Sequence, residues 1–470
     1  MIRRGFLAWS MCASLCASLT VTSTVHSDDW MRFRGPNGSG VSADDSIPTE
    51  WSDTENLSWK AELPGPGSSS PIIVGDRVFI TCWSGYGIDS DNPGSKEDLK
   101  LHLVCLNRTD GEILWAADIE PTGKEEDYRG MFAQHGYASH TPASDGKNIY
   151  CYFGKSGAVA FDLDGNRLWE TSIGTESDPR GWGSASSPVL VGDKMIIPAT
   201  AESQALVALN KETGEEIWRQ EAQGFTGTWG TPVVCLREDG LEDLVIGVPY
   251  EVWGFNPETG KMRWFAESVD SDSMCSSVIE HDGTIYLIEG RSGGSVAIRS
   301  GGKGDVTETN VLWSGRERGR ISTPIFFDQR IYWISGGIVS CIDAKTGDQL
   351  FQARLQSGGE SGRDQQSSDR DGSRESARGG PGGQFSRGGG GRSRGGMGGQ
   401  SYASPVVAGN RMYYVDRSGT TYVVGLGDEY ELLATNQFSE DESDFSGTPA
   451  ISDGQLFIRS NKFLYCVAEE

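Results

Sequence analysis

The sequence is poor in the features that announce catalysis or metal binding. It holds nine cysteines, two of them (Cys12 and Cys16) near the N-terminus, and the other seven form no CxxC, no vicinal pair and no zinc-finger spacing with histidine. That pattern gives no zinc module and no dithiol redox site. No Ser-His-Asp or Cys-His arrangement suggests itself either. Positive charge is scarce, with 41 Lys+Arg against 66 Asp+Glu and a net charge of −25, so phosphate-rich nucleic acid is a disfavoured partner. Beyond the first residues no apolar run is long enough to span a bilayer.

What is abundant is glycine, 64 of 470 residues. Glycine costs about 1 kcal/mol per helical position relative to alanine. With 36% hydrophobic residues available for a core, the composition predicts a turn-rich β protein with many short strands. At the N-terminus, Arg3-Arg4 followed by the moderately apolar stretch Gly5 to Val21 and Val25-His26-Ser27 reads as a signal peptide cleaved before Asp28. Residues 3–7 also resemble a twin-arginine core without the preceding Ser/Thr, so Sec and twin-arginine export both stay open. Neither Cys12 nor Cys16 follows a small residue, which gives no lipid anchor. Cleavage removes two Arg and no acidic residue and takes the charge to −27. The expected product is a soluble, exported, acidic protein, periplasmic or secreted.

The rest of the chain repeats itself at intervals of 35 to 55 residues. Each unit opens on a short strand after Ser/Thr-Pro, as at Ser70-Pro71, Ser187-Pro188 and Thr323-Pro324. It closes on the pattern small-x-[Asn/Asp]-x-x-[Thr/Asp]-Gly-x-x-x-Trp. Cys105 to Trp115, Ala208 to Trp218 and Gly254 to Trp264 carry this pattern, with Phe351 for Trp in the run from Cys341 and one residue fewer from Ala160 to Trp169. The Trp is expected to dock on the small residue of a neighbouring unit. Cys105, Cys341 and Cys466 stand where other repeats have Ala or Gly, so they read as buried packing thiols. An oxidising compartment would allow one disulfide, and Cys82 with Cys105 is the pair to check.

Units begin near Ser69, Ser139, Ser184, Thr228, Ser273, Ile321, Tyr402 and Phe445. The last lacks its Trp strand, and Leu57-Ser58-Trp59-Lys60-Ala61-Glu62 has that strand's pattern. The prediction is one all-β domain over 28–470: an eight-bladed β-propeller of four-stranded blades, its last blade closed by an N-terminal strand. A closed ring has no free edge that needs a mate, so a monomer is expected. Residues 356–400, with 16 Gly and 8 Ser, read as a disordered insertion between blades six and seven. Its Arg378 to Arg394 part is similar to RGG tails, but a tethering or solubilising loop suits an acidic exported protein better.

These Ala/Cys…Thr-Gly…Trp units resemble the tryptophan-docking repeats of the pyrroloquinoline quinone (PQQ) propeller superfamily, which includes quinoprotein dehydrogenases and BamB-type assembly factors. The opening Trp30-Met31-Arg32-Phe33-Arg34-Gly35-Pro36-Asn37-Gly38-Ser39-Gly40 is similar to the start of exported bacterial proteins with PQQ-like repeats. So are His135 to Ser139, Gly181 to Pro188 and Ser443-Asp444-Phe445. The resemblance spans the mature chain and is specific for the fold, which hosts many functions.

In that fold the loops joining strands two and three share one face with the loops between blades. The sequence then gathers Lys155, Glu202, Glu251, Glu289, Arg291 and Arg417 with His135, His140, Asp178, Arg180, Trp182, Trp229, Arg318, Arg320 and Asp444 on one polar face. By resemblance, a quinoprotein site would use Trp182 or Trp229 as a floor, Glu202 or Glu251 as Ca²⁺ ligands and Arg180 or Arg320 against PQQ. The adjacent Cys-Cys pair, the haem-attachment CxxCH and an Asp-rich calcium loop of such enzymes are missing. The simpler expectation is channel-wall packing for the tryptophans, loop packing for His135 and His140, and charge pairs between Glu202, Glu251 and Glu289 and Lys155, Arg291 and Arg417. The favoured reading is a binding or scaffold module of the BamB type for a protein, peptide or saccharide, with no cofactor and no metal. PQQ- and Ca²⁺-dependent oxidation of an alcohol or sugar at the same face is the alternative.

Overall fold

A computed structural model describes residues 29–89, 91–290, 293–355 and 401–469. The expected signal peptide and the 356–400 insertion lie outside the described residues. Seven sheets form in chain order from strands at 72–119, 143–171, 189–221, 233–267, 279–315, 325–354 and 406–436, here blades 1 to 7. Blade 8 has three strands at 450–467 and takes its fourth from Leu57–Glu62, which pairs antiparallel with Phe463–Val467. The ring therefore closes as the sequence implies, with Trp59 opposite Cys466. Among the described residues no helix is long and apolar enough to cross a membrane.

The docking of the tryptophans differs from expectation. Each small residue lies opposite the Trp of its own blade, as Cys105 does to Trp115 and Ala208 to Trp218, and a register shift follows at once. The ring then covers the turn glycine of the next blade, and its Nε1 donates to a nearby carbonyl there. Trp59 lies over Gly111 and donates to Arg108 O at 2.8 Å, and Trp169 lies over Gly214 and donates to Lys211 O at 2.8 Å. A Cβ on Gly111 would sit 2.5 Å from the Trp59 ring, and the φ of +74° is itself a glycine conformation. Blade 5 lacks the Thr-Gly turn, so Trp264 turns to Asp243 of its own blade instead, at 2.7 Å.

The Ser/Thr before each first strand forms an inner ring. Ser70 N–H donates to Thr141 Oγ1, Thr141 N–H to Ser187 Oγ, and the relay continues through Thr231, Ser277, Thr323 and Ser404 to Thr448, each bond 2.9 or 3.0 Å. Each such bond contributes about 1 kcal/mol and fixes the neighbouring blades in register. At the junction from blade 8 to blade 1, the buried Arg459 donates to Ser69.

Two short strands were not foreseen. Val41–Ser42 pairs parallel with blade 7 through Val407 and Ala408, and Gly304–Asp305 pairs parallel with blade 4 through Trp264 and Phe265. The cysteines at 82 and 105 form no disulfide. Cys82 is paired with His102 and Cys105 with Phe79 in the same ladder, and the two thiols pack into different clusters on opposite sides of the blade.

Candidate functional site

The propeller channel is closed at one end by the segment that follows Asp29. Trp30 exchanges backbone hydrogen bonds with Ile73 of blade 1, and its ring packs on Gly35. Arg34, 1% exposed, crosses to blade 6 and donates to Thr323 O and Pro324 O, each at 2.7 Å. Burial pulls its pKa down to about 9, and that of Arg32 to about 10. Neither guanidinium has a carboxylate partner among the described residues. The opening motif thus plugs the channel and presents Phe33 upward, a role its resemblance alone did not assign.

Above Phe33 lies a cup of about 130 Å³, walled by the Ser/Thr ring and by His135, Trp182, Trp229, Cys275, Arg320 and Tyr402. A water needs ~10–15 Å³ of such space, so the cup holds on the order of ten water-sized groups. Asp178 shapes its rim: the carboxylate accepts from Arg180 N–H at 2.9 Å and Trp182 N–H at 3.4 Å across the turn at Gly181. Trp182 and Trp229 then meet with centroids 5.0 Å apart, Trp229 Nε1 donates to Gly183 O at 2.7 Å, and the Arg180 guanidinium lies 5.4 Å and 5.8 Å from the two rings. Arg180 is tied to Asp272 at 3.1 Å. The Arg320 Nε is shielded from solvent with no hydrogen-bond partner. Burial raises the pKa of Tyr402 against the smaller lowering effects of Arg417 and Arg320.

Among the described residues the expected glutamate–cation pairs do not form. Glu202 accepts from Tyr152 OH at 2.8 Å and Ser184 OH at 2.5 Å, and burial pushes its carboxyl up. Glu289 is wrapped by the N–H groups of Cys275, Ser276 and Gly290 and the Ser276 hydroxyl, and Glu251 holds the Trp253 indole at 2.5 Å. Lys155 pairs with Glu126 at 2.8 Å and Arg417 with Asp444 at 2.8 Å; Arg291 lies outside the described residues. Arg318 is exposed and offers its carbonyl to Trp333 at 2.8 Å. His135 is a packing residue, with Nδ1 on Ser139 Oγ at 2.6 Å and Nε2 on Trp182 O at 2.7 Å. His140 lies off the cup and contacts Ser184 through Nε2 at 3.0 Å.

A Ca²⁺ beside a quinone needs six to eight oxygen ligands, with carboxylates prominent among them. Among the described residues that line the cup there is no Asp or Glu. Glu202 and Glu251 belong to different blades; both oxygens of Glu202 and one of Glu251 are taken as described. Among the described residues no three His, Cys, Asp or Glu side chains gather as a metal site. The tryptophan pair and Arg320 suit a flat anion, but the residues present do not fit the calcium that would accompany PQQ.

One constellation escaped the sequence reading. Ser84 Oγ lies 2.7 Å from His102 Nε2, and His102 Nδ1 lies 2.8 Å from Asp118. Three adjacent strands of blade 1 bring them together, which spacing in the chain cannot show. None of the three lines the cup or the smaller pocket beside it, and the row reads as a cross-strand hydrogen-bonded network.

Known proteins place this architecture. A family described as "Outer membrane protein assembly factor BamB" matches residues 95–224 and 199–369. A tetrathionate hydrolase of Acidithiobacillus ferrooxidans is 20% identical over 64% of the chain and 61% of its own length. The BamB of Alkalilimnicola ehrlichii is 29% identical over 36% of each protein. The chain therefore spans less than two thirds of these relatives. A europium-containing methanol dehydrogenase shares the fold with a TM-score of 0.61 at 10% identity, over 94% of this chain and 98% of that one. A hydrolase, an assembly factor and a dehydrogenase on one architecture make the fold a poor guide to chemistry. The repeats, the closed ring and the matched residues together show that the chain belongs to the BamB-like family of PQQ-type propellers.

Proposed function

We propose that the protein is an exported binding or scaffold module whose cup and surrounding polar face engage a protein, peptide or saccharide partner in the cell envelope. The observation that carries this reading is the lining of the cup. Its described residues offer hydroxyls, a tilted pair of indoles and a guanidinium whose Nε lacks a partner, which recognise a ligand, and no carboxylate to hold Ca²⁺ or accept a proton from an alcohol. Its one histidine, His135, already has both ring nitrogens engaged. A BamB relative agrees with a role in envelope assembly. The test is recovery of partners from envelope extract by wild type, Arg320→Ala and Trp229→Ala. The reading expects a partner held by wild type and lost by both variants with unchanged melting; equal recovery by all three contradicts it.

A second reading, PQQ-dependent oxidation of an alcohol or sugar at the same face, draws support from the Trp182–Trp229 pair flanked by Arg180 and Arg320. Bound PQQ would supply the redox chemistry. The chain's own part would be to stack on it and neutralise its charge.

A further inference from the structure

Beside the cup, on the other side of the 131–140 loop, lies a smaller pocket of about 30 Å³ between blades 1, 2 and 3. Two buried residues that line it have polar atoms without partners. Glu125, 6% exposed, accepts through Oε1 from Thr122 N–H, Thr122 OH and Ser156 OH at 2.7 to 2.8 Å, while its Oε2 is unpaired. His140, 4% exposed, uses Nε2 and leaves Nδ1 unpaired. The Ser184 hydroxyl donates to Glu202, so its oxygen accepts from His140 Nε2–H, and Nδ1 is a bare acceptor. Burial pushes the Glu125 carboxyl up, but the hydrogen bonds from Ser156 and Thr122 outweigh it and leave its pKa lowered.

Both unsatisfied atoms thus require a donor, because a buried acceptor left without one bears its desolvation penalty uncompensated. The nearby cations are already committed. Lys155 donates to Lys124 O and Ser177 and forms an ion pair with Glu126, and Lys96 pairs with Asp127. Glu125 has no ion-pair partner among the described residues, and the exposed Glu176 stands at the mouth. Phe132, Tyr137 and Phe153 give the pocket apolar walls. We propose that this pocket binds a primary ammonium group, whose N–H donors meet Glu125 Oε2 and His140 Nδ1 while its methylene stem lies against the aromatic walls. The pocket has room for two or three water-sized groups, which matches an ammonium head with the first carbon of its chain.

Two sources carry such an ammonium, a free alkylamine and a lysine side chain, and calorimetric titration of the mature protein separates the two. The probes are n-butylammonium, a lysine blocked at both ends, and tetramethylammonium, which has no N–H. The proposal expects saturable binding of n-butylammonium, about ten-fold weaker in Glu125→Gln and weakened in the exposed Glu176→Gln, with tetramethylammonium inert. Binding of blocked lysine as well identifies a side chain as the source, and its failure a free amine. Equal binding of tetramethylammonium, no effect of either substitution in folded protein, or a crystal soaked in n-butylammonium with only water in the pocket would overturn it.

Discussion

Arg459 of blade 8 donates to Ser69 of blade 1 at both its hydroxyl, 2.7 Å, and its carbonyl, 3.0 Å. The guanidinium is fully buried and also reaches the Cys82 sulfur at 3.5 Å. It locks the junction where the two ends of the ring meet. Replacing it by Ala takes the donor from the Ser69 carbonyl and leaves a cavity behind, and should cost about 2–4 kcal/mol in urea unfolding. A loss below about 0.5 kcal/mol would show that the seam is held by the Leu57–Glu62 strand alone.

The docking of Trp59 on Gly111 makes a paired prediction. Gly111→Ala places a methyl group 2.5 Å from the ring, whereas Gly75→Ala meets nothing within 4 Å at a similar positive φ. Both pay for backbone strain of about 1 kcal/mol. Only the first should also disturb the indole, so its loss of stability should exceed that of Gly75→Ala by about 1–3 kcal/mol. Equal losses would mean that conformation alone selects glycine there.

The repeats made the fold legible before any coordinates, because Cys466 without a following Trp and Trp59 without a preceding strand had to complete each other. The site was harder to read. Which residues share a face follows from strand order, so Trp182, Trp229 and Arg320 were found, but hydrogen-bond partners depend on packing between blades. Glu202 meets Tyr152 and Ser184, and Glu289 meets backbone amides, where equal numbers of opposite charges had suggested ion pairs. The plug was hidden for another reason: Arg34 finds its partners 289 residues away, and no local pattern encodes that.

Acid should destabilise the fold through His140, whose pKa burial lowers from 6.5 to about 3. The unfolded chain then binds a proton that the folded chain refuses, so stability falls as the pH drops from about 6.5 towards 3. At pH 5 this one group should cost about 2 kcal/mol relative to neutral pH. His140→Gln should flatten that part of the profile in melting curves at pH 5 and 7. An unchanged slope would show that the imidazole is solvated and charges freely.

Seven cysteines stand in the described residues without a disulfide, and all but Cys275 are buried. Burial pushes the thiols of Cys105, Cys235, Cys341 and Cys466 up to about 12, which suppresses their thiolate and their reactivity. Ellman's reagent should titrate about one thiol in the native protein, at Cys275 in the cup wall, and all seven after denaturation. Fewer than seven would reveal a disulfide, and several fast thiols in the native state would contradict the packing role.

The central claim is that the cup binds without a calcium-held quinone, and one titration tests it most directly. Mature protein is mixed with PQQ with and without Ca²⁺ while the fluorescence of Trp182 and Trp229 is followed, and dye-linked alcohol oxidation is then assayed. The account predicts no Ca²⁺-dependent saturable quenching and no turnover in folded protein. Micromolar quenching that requires Ca²⁺, disappears in Glu251→Ala or Glu202→Ala and brings turnover would contradict it.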